Sequence, residues 1–203
     1  MAVEFTPSQS AVLELRDEKS IVLEAYDFLD EKRLLLAAEL LKQLEDFEKL
    51  SDRLEQQRHL CRSAMGSAVS RHGLHGVQLY PPAEIEAHLS REQRPFMGVT
   101  LAKSELDAED APDNLLVANP SPEAVDTGNE FRELFFLAAV LAGISGNLHR
   151  LMDEYQKTER RARALENVVI PEIEQLLVNM TAQLEEFDQE EIIRTHRGHQ
   201  QAS

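Results

Sequence analysis

The sequence predicts a mainly α protein: a long antiparallel two-helix coiled-coil hairpin with a small β-hairpin-containing segment in its middle. Three observations carry this. The 203 residues hold eight Phe, three Tyr and no Trp, thin material for a large globular core, while Leu, Glu, Gln, Arg and Ala, all strong helix formers, dominate. Apolar and small residues recur at alternating spacings of three and four along two separate stretches, the 3.5-residue seam of a left-handed coiled coil. Glycine- and proline-bearing runs collect between them. Long seams of this kind have no globular core to lie on, so each needs the other.

The first helix is expected over about residues 9–70. Its seam runs Tyr26, Leu29, Arg33, Leu36, Leu40, Gln43, Phe47, Leu50, Leu54, Gln57, Cys61 and Ala64 without a slip. Thr6-Pro7-Ser8 supplies a capping hydroxyl and a proline just ahead of the first apolar residues. The middle, 71–123, opens on the helix-ending Arg71-His-Gly-Leu-His-Gly76. Val77-Gln-Leu-Tyr80, which stops at Pro81-Pro82, and Phe96-Met-Gly-Val-Thr-Leu101 read as a pair of short strands. Ala111-Pro-Asp-Asn114 and Asn119-Pro-Ser-Pro122 carry turn and linker chemistry.

The second helix is expected from Pro122 or Glu123, with proline at the first helical position, to about Arg194, within a C-terminal segment 124–203. Its seam is Leu141, Ile144, Leu148, Leu151, Tyr155, Thr158, Ala162, Leu165 and Val169. The spacing then drifts toward fours through Ile173, Leu176, Met180, Leu184 and Phe187, a change of phase that unwinds a left-handed supercoil locally. Pro171 sits at the slip, where its missing N–H and its ring disturb the Asn167 carbonyl and predict a bend. Pairing the helices at a constant index sum near 198 sets Lys32-Arg33 opposite Leu165-Glu166. The chain is thus expected to be one elongated unit, 1–203.

A net charge of −16 disfavours nucleic acid and anionic lipid as partners. Cys61 is alone, so no intrachain disulfide is available. The N-terminus lacks the basic leader and apolar run of a signal peptide, and the richest apolar window, Leu134–Ile144, is about half of the roughly 18 residues a span requires. A cytoplasmic protein without direct membrane insertion is expected. No phosphate-binding Gly-x-x-x-x-Gly-Lys loop occurs, and Gly143-Ile-Ser-Gly146 reads as small residues permitting close helix contact. His59, Cys61, His72, His75, His196 and His199 lack the paired spacing of a zinc site. Neither metal nor cofactor is expected, and no nucleophile–base grouping suggests catalysis.

One cluster stands out. Lys157, Arg160, Arg161 and Arg163 fall within seven positions of an acidic chain, and the next thirty residues, Ala164–Ile193, contain no Lys or Arg. Glu159 and Glu166 can pair with neighbours on the same helix, but such pairs stabilise by only tenths of a kcal/mol. A cationic collar on an acidic helix is also where another molecule could grip.

The run Lys157-Thr158, Arg160-Arg161, Ala164-Leu165-Glu166 and Val168-Val169-Ile170-Pro171 resembles the D subunit of V-type and A-type rotary ATPases, the central axle of the motor. The likeness extends through Pro7-Ser8, Leu13, Leu15-Arg16, Lys19 and Leu29-Asp30-Glu31-Lys32-Arg33. It includes Gly76-Val77 and the acidic run Glu185-Glu186-Phe-Asp188-Gln-Glu190-Glu191 ending at Ile192-Ile193. Arg161-Ala162-Arg163 stands where the family reads Arg-Val-Asn. The resemblance implies a non-catalytic shaft that carries torque between the catalytic A/B hexamer and the membrane ion ring. It implies contact with that hexamer at Lys32, Arg33, Lys157, Arg160, Arg161, Arg163, Glu166, Glu185 and Glu186. It also implies contact of the middle segment (Val77, Leu79, Tyr80, Phe96, Val99) with the small F subunit and the funnel-shaped C (or d) subunit. A free-standing coiled-coil adaptor, dimeric through its seams, is the alternative.

Overall fold

A computed structural model describes residues 8–80, 87–108 and 121–201. The elements in chain order are α1 (Gln9–Gln78), β1 (Ala87–Phe96), β2 (Val99–Ala108), α2 (Pro122–Ala164), a π-helical turn (Leu165–Val169) and α3 (Ile170–Gln201). Thr6, Pro7, Pro81, Pro82, Ala111–Asn114 and Asn119–Pro120, which carry part of the sequence reading, lie outside the described residues. The predicted mainly α fold, with paired long helices and a two-stranded antiparallel sheet between them in sequence, is the fold observed.

The chain divides into two compact units. Unit 1 comprises 1–34 and 155–203, and unit 2 comprises 35–154. In each, a stretch of α1 packs antiparallel on a stretch of the C-terminal helix. All twelve α1 seam residues from Tyr26 to Ala64 are buried or half-buried, with Leu36 at 0% and Cys61 at 2% exposure. The α2 seam is likewise inward, with Leu151 at 0%, Thr158 at 2% and Ala162 at 2%. Burial of one such leucine contributes about 1.5–3 kcal/mol.

Ser8 caps α1: its Oγ accepts the Ala11 N–H at 3.2 Å. Ser121 caps α2 in the same way, accepting from Ala124 N–H at 3.2 Å, with Pro122 at the first helical position.

Two expectations change at the far end of α1. The helix breaks at Gly73, within the expected helix-ending run, but the chain after the break is helical rather than extended. Gly73 adopts φ 69° and ψ 164°, a left-handed φ that favours glycine, and a helical piece continues to Gln78. Val77 and Gln78 are therefore helical, and Val77–Tyr80 is not a strand. The hairpin instead pairs β1 with β2 from Phe96↔Val99 out to Ala87↔Ala108. Its two-residue turn, Met97-Gly98, has both φ values positive (47° and 85°), the geometry that matches strand twist. The expected run Phe96–Leu101 thus contains the turn rather than one strand. Pro95 faces Thr100, not the hydrogen-bonded Phe96↔Val99 pair next to it, so its missing N–H falls on the outer edge of β1, where proline is tolerated.

The phase slip near Pro171 appears as the π-helical turn. Ile170 N–H bonds the Leu165 carbonyl, five residues back. A wide turn holds one extra residue, so the seam can keep facing its partner while its sequence spacing stretches. Beyond it Val169, Ile173, Leu177, Met180 and Leu184 face inward. Leu176 and Phe187, expected on the seam, are exposed (41% and 56%), and Leu177 holds the inward position beside Ile173.

One 18-residue window of the helix Pro122–His196 reaches a mean hydropathy of 1.4, enough by length and composition to cross a membrane. In unit 2 one face of α2 is occupied by the protein itself, through Gly143, Asn147 and Leu151.

Candidate functional site

Two surfaces concentrate the candidate residues, one in each unit.

In unit 1 the level of the collar is set by the helix pair. Val12 and Leu15 of α1 share a core with Ile173 and Met180 of α3, flanked by Val22, Val169, Leu177 and Leu184. Lys19 Nζ meets Glu174 Oε1 at 2.9 Å. The residue numbers of this pair add to 193, not to about 198. Lys32 and Arg33 lie half-buried on the α1 stretch of the same unit. Helical phase aims the collar outward: Thr158 and Ala162 point into the seam, so Lys157, Arg160, Arg161 and Arg163 are exposed. Arg163 is bonded to Glu159 at 2.6 Å, and Arg160 Nε donates to the Gln156 carbonyl at 3.3 Å. Arg33 pairs with Asp30 at 2.6 Å. Glu166 lies exposed on the π-helical turn, and Glu185 and Glu186 lie exposed on α3. The basic residues of both helices thus belong to the same unit as the two glutamates of α3.

In unit 2 the hairpin is fixed to α2 by two features that sequence reading missed. Asn147, 5% exposed, acts as a short third strand: its Oδ1 accepts the Ala102 N–H at 2.8 Å and its Nδ2 donates to the Ala102 carbonyl at 2.9 Å. Arg150 Nη2 also donates to that Oδ1, at 2.7 Å. One turn earlier, a side chain on Gly143 would come within 2.7 Å of Ser104 Oγ. The small residues at 143–146 thus permit close approach, but of strand β2 rather than of a helix. The available signal was a polar residue on the face shared by Ile144, Leu148 and Leu151, where an amide must find partners. Gln57, at a seam position, likewise donates to the Glu130 carbonyl (3.0 Å) and to Glu130 Oε2 (2.5 Å).

Of the proposed stalk-facing residues, Leu79 is 84% exposed, Val77, Tyr80 and Phe96 are half-buried, and Val99 is buried at 7%. The Arg94 guanidinium lies over the Phe96 ring at 5.8 Å. An open groove of about 450 Å³ beneath the hairpin is lined by Glu39, Lys42, Asp46, Arg94, Lys103 and Ile144 among others. Its charges alternate in sign, and Lys103 is already paired with Glu105.

Near the start of α2, His72 Nε2 lies 2.7 Å from Ser121 Oγ. Serine–histidine contacts can prepare a nucleophile, but this hydroxyl is 3% exposed and is engaged as a helix cap. Burial pushes the Cys61 thiol up, with Glu130 adding to the shift. That disfavours the reactive thiolate. Among the described residues no group of three or more His, Cys, Asp or Glu converges to hold a metal.

Comparison with known proteins gives one consistent answer. The family model for the D subunit of ATP synthase matches residues 11–198. The D subunit of the V-type ATP synthase of Thermotoga neapolitana is 24% identical over 192 residues, covering 94% of this chain and 95% of the relative. The D subunit of the A-type ATP synthase of Methanococcoides burtonii is 29% identical over 203 residues, covering 97% of each. That of Archaeoglobus fulgidus is 24% identical over 196 residues, covering 94% of each.

Proposed function

Since the chain belongs to the D-subunit family of V-type and A-type ATP synthases, we propose that it is the non-catalytic central shaft of such a complex. In this reading it transmits torque between a ring of catalytic A and B subunits and the membrane ion rotor. The observation that carries the reading is the collar: Lys157, Arg160, Arg161 and Arg163 all stand exposed on a helix whose apolar seam is turned inward against α1. Two helices have no threefold symmetry, so a surrounding threefold ring would meet a different face at each catalytic interface. Unequal contacts are what can bias the conformation of each site. Lys32, Arg33, Lys157, Arg160, Arg161, Arg163 and Glu166 would face the ring, and Glu185 and Glu186 would extend that contact along α3. In unit 2, Val77, Leu79, Tyr80 and Phe96, with Val99 supporting the hairpin from beneath, would meet the F subunit and the C (or d) subunit. The protein then works at the membrane periphery on the cytoplasmic side, carried there by its partners.

The test is charge reversal in the assembled complex. Arg160→Glu, Arg161→Glu and Arg163→Glu together should lower ATP-driven torque while leaving the helical circular dichroism of the isolated chain intact. All three side chains are exposed, and surface ion pairs such as Arg163–Glu159 contribute at most about 1 kcal/mol each. Unchanged torque would remove the collar from the mechanism. A chain that forms a stable dimer and ignores the ring and stalk proteins would replace the shaft with the adaptor.

A further inference from the structure

The kinked end of α1 is tied to the first turn of α2 by a chain of polar contacts that the shaft reading does not use. His72 sits one residue before the left-handed Gly73. Because of the kink the chain folds back on the imidazole: a side chain on Gly76 would come within 2.9 Å of His72 Cβ. The Tyr80 ring stands edge-on to His72 at a centroid distance of 5.5 Å, with its hydroxyl 3.3 Å from Nε2. The same Nε2 lies 2.7 Å from Ser121 Oγ. Arg71 Nη1 spans both oxygens of Glu123, at 2.6 and 2.8 Å.

We propose that His72, Ser121 and Glu123 form a proton-sensitive latch that holds the kinked end of α1 on the start of α2. The hydrogens available to these groups can be counted. Ser121 Oγ already accepts the Ala124 N–H of its cap, and it has a single hydrogen of its own to give. When the imidazole is neutral at Nε2, that ring nitrogen is an acceptor. The Ser121 hydrogen then points to His72, and the Tyr80 hydroxyl shares the same lone pair at longer range. When the imidazole is protonated, Nε2–H becomes the donor to Ser121 Oγ. The serine must then turn its hydrogen elsewhere, and the anion two residues on is Glu123, which Arg71 already holds. Glu123 is well prepared for this. Its carboxyl is held below the usual carboxylate range by its own backbone N–H first and then by the Arg71 guanidinium. Arg71 and Tyr80 from the α1 side and Glu123 from α2 are the titratable or charged groups in the described contacts around the ring.

The two states differ in strength and in partner. The protonated state runs from imidazolium through Ser121 to a carboxylate clamped by Arg71, and charge-assisted bonds are the stronger kind. It also takes the Nε2 lone pair away from Tyr80. Protonation therefore tightens the hold of α1 on α2 and loosens the hold of the imidazole on the chain leaving the kink. Among side chains, histidine is the one suited to switch its hydrogen-bonding role by gaining a proton.

The experiment uses the full chain. Amide hydrogen exchange at Ala124 and Val125, corrected for intrinsic rates, is followed from pH 8 to pH 5.5, together with the ¹⁵N shifts of the His72 ring. Protection in the wild type should rise by about tenfold toward the lower pH, the effect of one charge-assisted bond. The Nε2 shift should move from an acceptor to a donor value over the same interval. His72→Gln keeps an amide donor but cannot gain a proton, so its profile should be flat. Glu123→Gln removes the anionic acceptor and should lose most of the rise. Equal pH profiles in wild type and His72→Gln would overturn the latch. If His72→Gln fails to fold, a pH-independent Nε2 shift in the wild type overturns it alone.

Discussion

The two units solve the same packing problem differently. Unit 1 joins α1 to α3 through an apolar seam of Val12, Leu15, Ile173 and Met180, reinforced by the half-exposed cross-helix ion pair Lys19–Glu174. Unit 2 has the tighter seam residues Leu36, Cys61 and Leu151 and adds buried polar anchors: Gln57 on Glu130, Asn147 on Ala102 and His72 on Ser121. Apolar contacts are non-directional and tolerate small shifts in register. A buried amide with both ends bonded does not, because a slip leaves a desolvated donor and acceptor without partners. Unit 2 is therefore fixed in register, while unit 1 relies on its knob spacing and its π-helical turn. In the shaft reading the unit with the hairpin is the rigid grip, and the unit with the collar is the one able to adjust.

The largest test of that contrast removes one seam leucine from each unit. Leu151→Ala and Leu15→Ala should each destabilise their own unit by about 2–5 kcal/mol, more for Leu151, whose exposure is 0% against 5% for Leu15. Cys61 supplies a local reporter, because it is the single cysteine of the chain, lies in unit 2 and is 2% exposed. Thiol labelling under native conditions should accelerate strongly in Leu151→Ala and little in Leu15→Ala. Equal acceleration would mean that the units open together, and the contrast between them would have no energetic meaning.

A smaller effect, and a sharper one, comes from Asn147→Asp. The replacement has the same shape and still accepts from Ala102 N–H, but it turns a second oxygen toward the Ala102 carbonyl in place of a donor. The expected cost is about 1–3 kcal/mol, that of a buried acceptor left without its donor. Amide exchange should rise at Ala102 and along β2 while α1 seam amides keep their protection. If β2 stays protected, Gly143 and the apolar residues Val99 and Leu101 hold the hairpin without the amide, and the polar anchor is dispensable.

These anchors also mark where the sequence stopped being legible. The seams could be read because burial repeats every three and four residues, and all twelve α1 positions came out inward. The start of α2 could be read from Ser121-Pro122, a hydroxyl cap with proline behind it. The hairpin could not: His88 to Pro95 are all exposed and carry no apolar alternation, and its turn uses Met97 at a positive φ in place of a more telling Asn. The continuation of α1 past Gly73 was hidden because glycine is read as a stop, while here it only redirects the helix. The outward aim of the collar follows from the phase of Thr158 and Ala162. The π-helical turn and the register beside it did not, since they depend on pairwise contacts such as Lys19–Glu174, which one strand of sequence cannot fix.

The smallest expected effects separate the cross-helix ion pairs themselves. Lys19→Ala in unit 1 should cost under about 1 kcal/mol, as exposed pairs do. Arg71→Ala in unit 2 acts differently, because Glu123 is held below its ordinary value of 4.5 by its own backbone N–H and then by Arg71. A carboxyl with a lowered folded pKa contributes stability that is fully present above 4.5 and is lost as pH falls through the folded value. Removing Arg71 takes away part of that lowering, so the acid-dependent share of unit 2 stability should shrink while its value near neutrality falls slightly. Denaturant midpoints at about pH 3 and pH 7, on either side of that loss, measure both. If Lys19→Ala and Arg71→Ala shift the two midpoints alike, the Arg71–Glu123 contact is an ordinary surface pair, and the polar character of unit 2 resides in its buried amides alone.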